Sequence, residues 1–375
     1  MQIRQIALAP AGCQYWHKQV IGTSKSKFVF CTTLAVYIGS TEPYAIEQII
    51  SNPDQSLTCI EICPLEQSLL ATGTTNSKII IWNIEEEKTR AEISLPSVPI
   101  SLHWCPKKKG LMYVLMKNHD FKSINLEEKN ISLINSFVNL QPIFMEIQPS
   151  NPDIFAFACK EGSLVFYHIQ TKVVTEVKCP VKSDIENIAW NFENYLLVSY
   201  GDGSLKLFES GKEMESFSFE RQGTGISCIS LIYNSSGEFL TGCERIASIR
   251  LWNVSQKTPK STIKIGINGL RGICPFSEKS NLFLTTFANG AVGIFNLNTK
   301  KIEFRTEPGH SETIFNISIK PNNCNIVGTC SYDGYFKAWD MVTMKEIVSI
   351  NHTLKLGDPD LESKSGILYC FAWSP

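Results

Sequence analysis

Short runs in which apolar residues alternate with polar ones recur along the chain, and the best-formed end on an aromatic residue followed by Asn or Asp. The clearest are Ile79-Ile-Ile-Trp82-Asn83-Ile, Ile249-Arg-Leu-Trp252-Asn253-Val, Val292-Gly-Ile-Phe295-Asn296-Leu and Phe336-Lys-Ala-Trp339-Asp340-Met. Weaker copies centre on Tyr37, Ile124, Tyr167 and Phe208. The eight anchors stand at 37, 82, 124, 167, 208, 252, 295 and 339, at spacings of 45, 42, 43, 41, 44, 43 and 44. A repeat of about 43 residues with period-two alternation and β-branched or aromatic content predicts one four-stranded sheet per repeat. Helical repeats of similar length need a sustained 3.6-residue apolar stripe, and no segment offers one.

The other strands of each repeat are also visible. One ends before a proline, as in Ile60-Glu-Ile-Cys-Pro64, Leu102-His-Trp-Cys-Pro106, Met145-Glu-Ile-Gln-Pro149 and Ile317-Ser-Ile-Lys-Pro321. The next is short and rich in small residues, as in Leu69-Leu-Ala-Thr-Gly73 and Phe239-Leu-Thr-Gly242. Six residues before the aromatic anchor stand Asn76, Asn118, Glu161, Asp202, Asn289 and Asp333, mostly types that bond their own backbone in tight turns. The fold class is therefore all-β, a radial propeller of such sheets, which leaves only short edges.

Composition narrows the function. With 43% hydrophobic and 19% charged residues the chain can build a sizeable core. A net charge of −1 gives no electrostatic footprint for nucleic acid. The Lys107–Lys109 run reads as a solvated loop. No apolar run reaches the ~18–20 residues that span a bilayer, and the first ten residues do not form a secretory signal, so a cytoplasmic location without membrane insertion is expected. The thirteen cysteines have no framework spacing and read as free thiols. The six histidines have no metal-ligand spacing, and no phosphate-binding loop, nucleophile elbow or zinc motif occurs. No cofactor, metal or catalytic residue is expected.

The last full repeat runs from Gly309-His310 through Thr329 and Asp333-Gly334 to Trp339-Asp340. On these residues and the repeat spacing the chain resembles the WD40-repeat family. The resemblance implies that His310, Thr329, Asp333 and Trp339 form one buried hydrogen-bonded network within the sheet. Their spacing is explained by the blade, so a catalytic triad is not read from them. The stretches Leu8-Ala-Pro-Ala-Gly-Cys-Gln-Tyr-Trp-His-Lys18 and Phe28-Val-Phe-Cys-Thr-Thr-Leu-Ala-Val-Tyr-Ile38 are similar to a branch of that family with two consecutive propellers followed by a helical region. That organisation is like that of coat and intraflagellar-transport subunits.

Two closures fit the pattern. In the preferred one, a first strand at 20–23 completes the N-terminal repeat, residues 1–306 form a seven-bladed propeller, and 307–375 begin a further, truncated propeller. In the other, residues 367–373 pair with 27–32 and close an eight-bladed ring. The expected function is a non-enzymatic scaffold that binds other proteins or peptide segments on the propeller faces. A coat-type or ciliary transport subunit and a substrate receptor for ubiquitin ligation are the alternatives. The residues just before the turn position, Thr75, Lys117, Lys160, Gly201, Ala288 and Tyr332, should share one face. Of these, Lys117, Lys160 and Tyr332 are the candidates to grip an acidic or aromatic partner.

Overall fold

A computed structural model describes residues 12–14, 16–51, 55–178, 183–191, 194–209, 211–215, 217, 219–233, 235, 237–266, 268–279, 281–306, 309–310, 314–343, 345–351 and 367–374. Residues 8–11 and 15 of the N-terminal stretch that carries the closer resemblance lie outside them. Thirty-two strands form eight four-stranded antiparallel sheets, spanning 21–51, 57–94, 99–136, 142–177, 185–213, 228–264, 270–306 and 314–351. We number them sheets 1 to 8. In each, the strands lie side by side in chain order.

The sequence motif is built into these sheets as turn chemistry. Where Asn or Asp follows the anchor, it caps the hairpin between the third and fourth strands. Asn83 Oδ1 accepts the N–H groups of Glu85 and Glu86, Asn125 those of Glu127 and Glu128, and Asp340 those of Val342 and Thr343. Asn253 and Asn296 do the same in sheets 6 and 7. A side-chain oxygen that meets backbone donors two and three residues on makes the turn locally self-sufficient. The turn between the second and third strands uses the same device at Asn118, Asp202, Asn289 and Asp333. After Asp202 only glycine fits. Gly203 has φ +86°, and a Cβ there would stand 2.1 Å from the carbonyl oxygen of Gln222.

The anchors at Trp82, Tyr167, Phe208, Trp252, Phe295 and Trp339 all lie in third strands. Tyr167, Phe208, Trp252 and Phe295 are buried, and Trp82 and Trp339 half-buried. The core is a series of apolar layers between neighbouring sheets. One layer between sheets 3 and 4 stacks Tyr113, Phe121, Phe137, Phe155, Phe157 and Tyr167, with edge-on contacts such as Phe121 to Phe157 at 5.2 Å. The small residues of the second strand admit that approach: a Cβ on Gly73 would meet Cys59 Sγ at 2.5 Å and Pro99 Cγ at 2.9 Å.

The chain divides into two compact units. One comprises Tyr15–Ala288 and Gly293–Arg305, the other Met1–Gln14, Asn289–Val292 and Thr306–Pro375. The first unit carries sheets 1 to 7. Its first strands pack one on the next through the series, and that of sheet 1, Ile21–Thr23, packs on those of sheets 2 and 7. Hydroxyl groups stitch these neighbours. Thr58 Oγ1 donates to the Pro99 carbonyl at 2.6 Å, and Thr23 Oγ1 to that of Pro275 at 2.6 Å. Sheet 1 also meets sheet 7 through the Lys279–Glu42 ion pair and the Tyr44–Glu303 hydrogen bond at 2.8 Å.

The count of four-stranded sheets is eight, not the seven given to the fold by the sequence reading. The additional sheet arises because 314–351 supply all four of their own strands, including Lys345–Asn351 at the outer edge. The segment 367–374 does not pair with 27–32, whose partners are Ile21–Thr23 and Ala35–Thr41. It lies instead on sheet 8. Leu368 N–H donates to the Ser331 carbonyl, Trp373 Nε1 to that of Ser318, and Phe371 and Trp373 pack on Phe336. The twelve described cysteines carry no disulfide. Among the described residues no helix is long and apolar enough to cross a membrane.

Candidate protein-binding surface

Sheet 8 brings together the four residues expected to form a network. His310 Nδ1 lies 3.0 Å from an Asp333 carboxylate oxygen, and Nε2 lies 2.7 Å from Thr329 Oγ1. The Trp339 indole N–H donates to the same hydroxyl at 2.9 Å. His310 and Thr329 are buried, so each bond replaces one that water would otherwise make. Replacing Asp333 with alanine strands the imidazole N–H and is expected to destabilise sheet 8 by roughly 1–3 kcal/mol. Denaturant melts followed by the Trp339 environment read this, and an unchanged midpoint would rule the network out as a stabilising feature. Sheets 2 and 6 keep only the indole half of the arrangement, with Trp82 on Thr72 and Trp252 on Thr241.

The residues placed just before the turn position do share one end of their sheets, and a backbone bond explains why. The N–H groups of Thr75, Lys117, Lys160, Gly201 and Ala288 donate to the carbonyls of Ser56, Val98, Gln141, Asp184 and Gly269. Each bond ties the second-to-third-strand turn to the loop that enters its own sheet. Lys117 and Lys160 therefore stand at equivalent places on the neighbouring sheets 3 and 4. Both are exposed, and neither has an ion-pair partner among the described residues. Lys160 opens a short 3₁₀ turn in which Glu161 has φ 59°. Tyr332, 44% exposed, belongs to the other unit, where it joins Phe315 at 6.1 Å and, through it, Tyr369.

The sequence reading passed over a polar clasp on the first strands of sheets 2 to 4. Glu61 Oε2 accepts the Trp104 N–H at 2.6 Å, while Glu61 Oε1 stands 3.0 Å from His103 Nδ1. His103 Nε2 reaches the Met145 carbonyl at 2.9 Å and lies 3.9 Å from the Glu146 carboxylate. Both ring nitrogens thus face oxygen acceptors, which only the doubly protonated imidazolium can satisfy. Burial opposes that charge, but Glu61, Glu146 and the hydrogen bonds outweigh it and raise the His103 pKa to about 9. Crowding by protein and the nearby Glu61 push Glu146 up to about 7, against the pull of His103. The charge of Glu146 also helps to raise the pKa values of Tyr233 and Cys274, after burial as the main cause. Among the described residues no cluster of His, Cys, Asp and Glu could hold a metal ion.

Comparison with known proteins bears on this arrangement. A family model for the WD domain, G-beta repeat, matches residues 302–340, the segment holding His310, Thr329, Asp333 and Trp339. A second, for the anaphase-promoting complex subunit 4 WD40 domain, matches residues 148–234. The chain carries WD40 repeats. The C-terminal WD40 domain of Sif2 is similar in fold, with a TM-score of 0.59 at 15% identity over 86% of this chain and 96% of that one. The computationally designed Ika8 protein gives 0.53 at 15% identity, over 80% and 88%. Protein transport protein SEC31 of Chaetomium globosum is 21% identical over 196 residues, which is 51% of this chain. The chain spans only 16% of that protein's length. The turn chemistry accounts for the Asn or Asp beside the anchors, and the Glu61–His103–Glu146 clasp lies on the first strands of sheets 2 to 4.

Proposed function

We propose that this chain is a non-enzymatic WD40 scaffold that binds acidic protein segments at the turn end of sheets 3 and 4, with Lys117 and Lys160 as the contact residues. One observation carries the reading: two exposed lysines, without an ion-pair partner among the described residues, stand at equivalent positions on adjacent sheets, their backbone held by the same hydrogen bond. Exposed cations at such positions steer an acidic partner to this end of the sheets. Residues 1–306 form a seven-bladed propeller in this reading, supported by the return of the first-strand series from sheet 7 to sheet 1. Residues 307–375 begin a further propeller, in which Tyr332 faces its own partner. The exposure of Ile314–Ile319 supports this, since the first strands of sheets 2 and 3 are largely buried.

The test is proximity labelling in cells with the wild-type protein and a Lys117→Glu/Lys160→Glu variant. The variant should lose at least tenfold of the label on its main partners while its melting transition stays unchanged, because exposed charges contribute little to stability. An unchanged partner set would overturn the proposal. A coat-type transport role is the second reading, favoured by the similarity to a protein transport protein. It requires coat subunits among the labelled partners.

A further inference from the structure

The first strands of sheets 1 to 7, from Ile21–Thr23 to Leu270–Pro275, pack each on the next and the last on the first. Each stands at the end of its sheet, so the edge turned away from the second strand has no partner strand. Just ahead of Ile21–Thr23, Lys18 and Gln19 occupy part of that edge. The Gln19 amide pairs with both backbone groups of Leu102 in sheet 3: Nε2 donates to the carbonyl at 2.6 Å, and Oε1 accepts the N–H at 2.9 Å. Oε1 also accepts the Ser101 hydroxyl at 3.2 Å, and the Gln19 carbonyl accepts the Ile60 N–H of sheet 2 at 2.9 Å. Lys18 reaches sheet 5, where Nζ donates to the Glu186 carboxylate at 2.7 Å and to the Glu186 carbonyl at 3.1 Å. Two adjacent side chains thus meet sheets 3 and 5 and pass over sheet 4, which a dipeptide can do only across the inner side of the first-strand series.

These contacts have the form of peptide recognition. An amide that exchanges hydrogen bonds with both the N–H and the C=O of one edge residue does what the backbone of an added strand does. A carboxylate and a carbonyl that converge on one ammonium make a charge-assisted site for a basic side chain. Among the described residues no other cation pairs with Glu186. The contacts are also easily broken. The Lys18 and Glu186 side chains are 47% and 35% exposed, and an ion pair open to water contributes little to stability. Val20, which is buried, holds the chain in the core whether or not the two side chains ahead of it are in place.

We infer that Lys18 and Gln19 are an internal mimic of a peptide ligand: they fill in cis a site on the inner edges of sheets 3 and 5 that takes a basic peptide segment, its ammonium at Glu186 and the next residue's amide at Leu102. An occupant on the same chain acts at an effective concentration on the order of millimolar, so it keeps weaker peptides out until it is displaced. The site uses first-strand edges, whereas Lys117 and Lys160 stand on turns between second and third strands, so the inference does not rest on the function proposed for them.

The probe is a fluorescent peptide with the sequence of residues 15–20, Tyr-Trp-His-Lys-Gln-Val, capped at both ends and titrated into the full chain by anisotropy. A Lys18→Ala/Gln19→Ala variant should bind one peptide per chain, at least tenfold more tightly than the wild type. A peptide with Glu in place of its Lys should lose at least tenfold of that affinity. So should the original peptide when Glu186→Gln is added to the variant. Melting curves verify that the sheets are intact. If the double variant melts early, Lys18→Glu alone opens the site, because it changes an exposed side chain that Glu186 then repels. An opened variant that binds the peptide no better than the wild type, or that binds the Lys and Glu peptides alike, would overturn the inference.

Discussion

Replacing Glu61 with alanine is expected to lower the stability of the seven-sheet unit by about 2–4 kcal/mol, although the residue is neither apolar nor fully buried. Its carboxylate does two things at once on the neighbouring sheet. It accepts the backbone N–H of Trp104 at 2.6 Å and the Nδ1 proton of His103 at 3.0 Å. Removing it leaves a buried backbone donor without its acceptor and a buried imidazolium without its counter-charge. The second loss is the larger, because an uncompensated charge must either be carried at low dielectric or give up its proton. Glu61→Gln separates the two: the amide oxygen can still accept from Trp104 but supplies no charge, so about half of the loss should return. Urea unfolding of the three proteins at pH 7 measures this. A Glu61→Ala midpoint equal to the wild type would show that sheets 2 and 3 are held by apolar packing alone.

The legible part of the fold was the part fixed by local chemistry. Trp82, Trp252 and Trp339 could be placed in third strands because alternation, an aromatic end and a following Asn or Asp recur at one period, and each Asx turn is made within three residues of its cause. The network of His310 and Asp333 was legible for a similar reason: its members fall within one repeat. The clasp was not, although Glu61, His103 and Glu146 stand 42 and 43 residues apart in runs already recognised as strands. Each looks like the polar position of a half-buried strand. Only the lateral packing of first strands turns that position toward the next sheet, and such packing has no local signature. The closing strand Ile21–Thr23 was legible only as one of two options, because it is three residues long and has no alternation that sets it apart from a loop. Eight anchors stood in the sequence, yet which strand pairs beside Lys27–Cys31, and so how many sheets belong to one ring, turned on that short piece.

Stability of the same unit should fall as pH rises from about 5 to 9, the reverse of what its paired surface carboxylates alone would give. The signs follow from the clasp. His103 has a folded pKa of about 9 against an ordinary 6.5, so its contribution is fully present below pH 6.5 and is lost as pH rises through 9. Glu146, at about 7 against 4.5, is favoured in its protonated form by the folded state, so its contribution is present below 4.5 and is lost as pH rises through 7. Tyr233 and Cys274, which face the same carboxylate, are raised to about 12 and about 11 and stay protonated through this window. Asp202 and Glu66 are held below their ordinary values, Glu66 by Lys109 and Arg90, so their contributions fade only toward more acid conditions. The His103 step should amount to something on the order of 1–3 kcal/mol, given its near-complete burial. Glu146 adds a smaller decline, because 38% of its side chain remains accessible and solvent screens it. Urea midpoints taken from pH 5 to 9 should therefore fall in two stages. His103→Gln should remove the upper stage and Glu146→Gln the lower. A wild-type midpoint that is level from pH 6.5 to 9, or a decline that persists unchanged in His103→Gln, would mean that the imidazolium is not what holds sheets 2, 3 and 4 together.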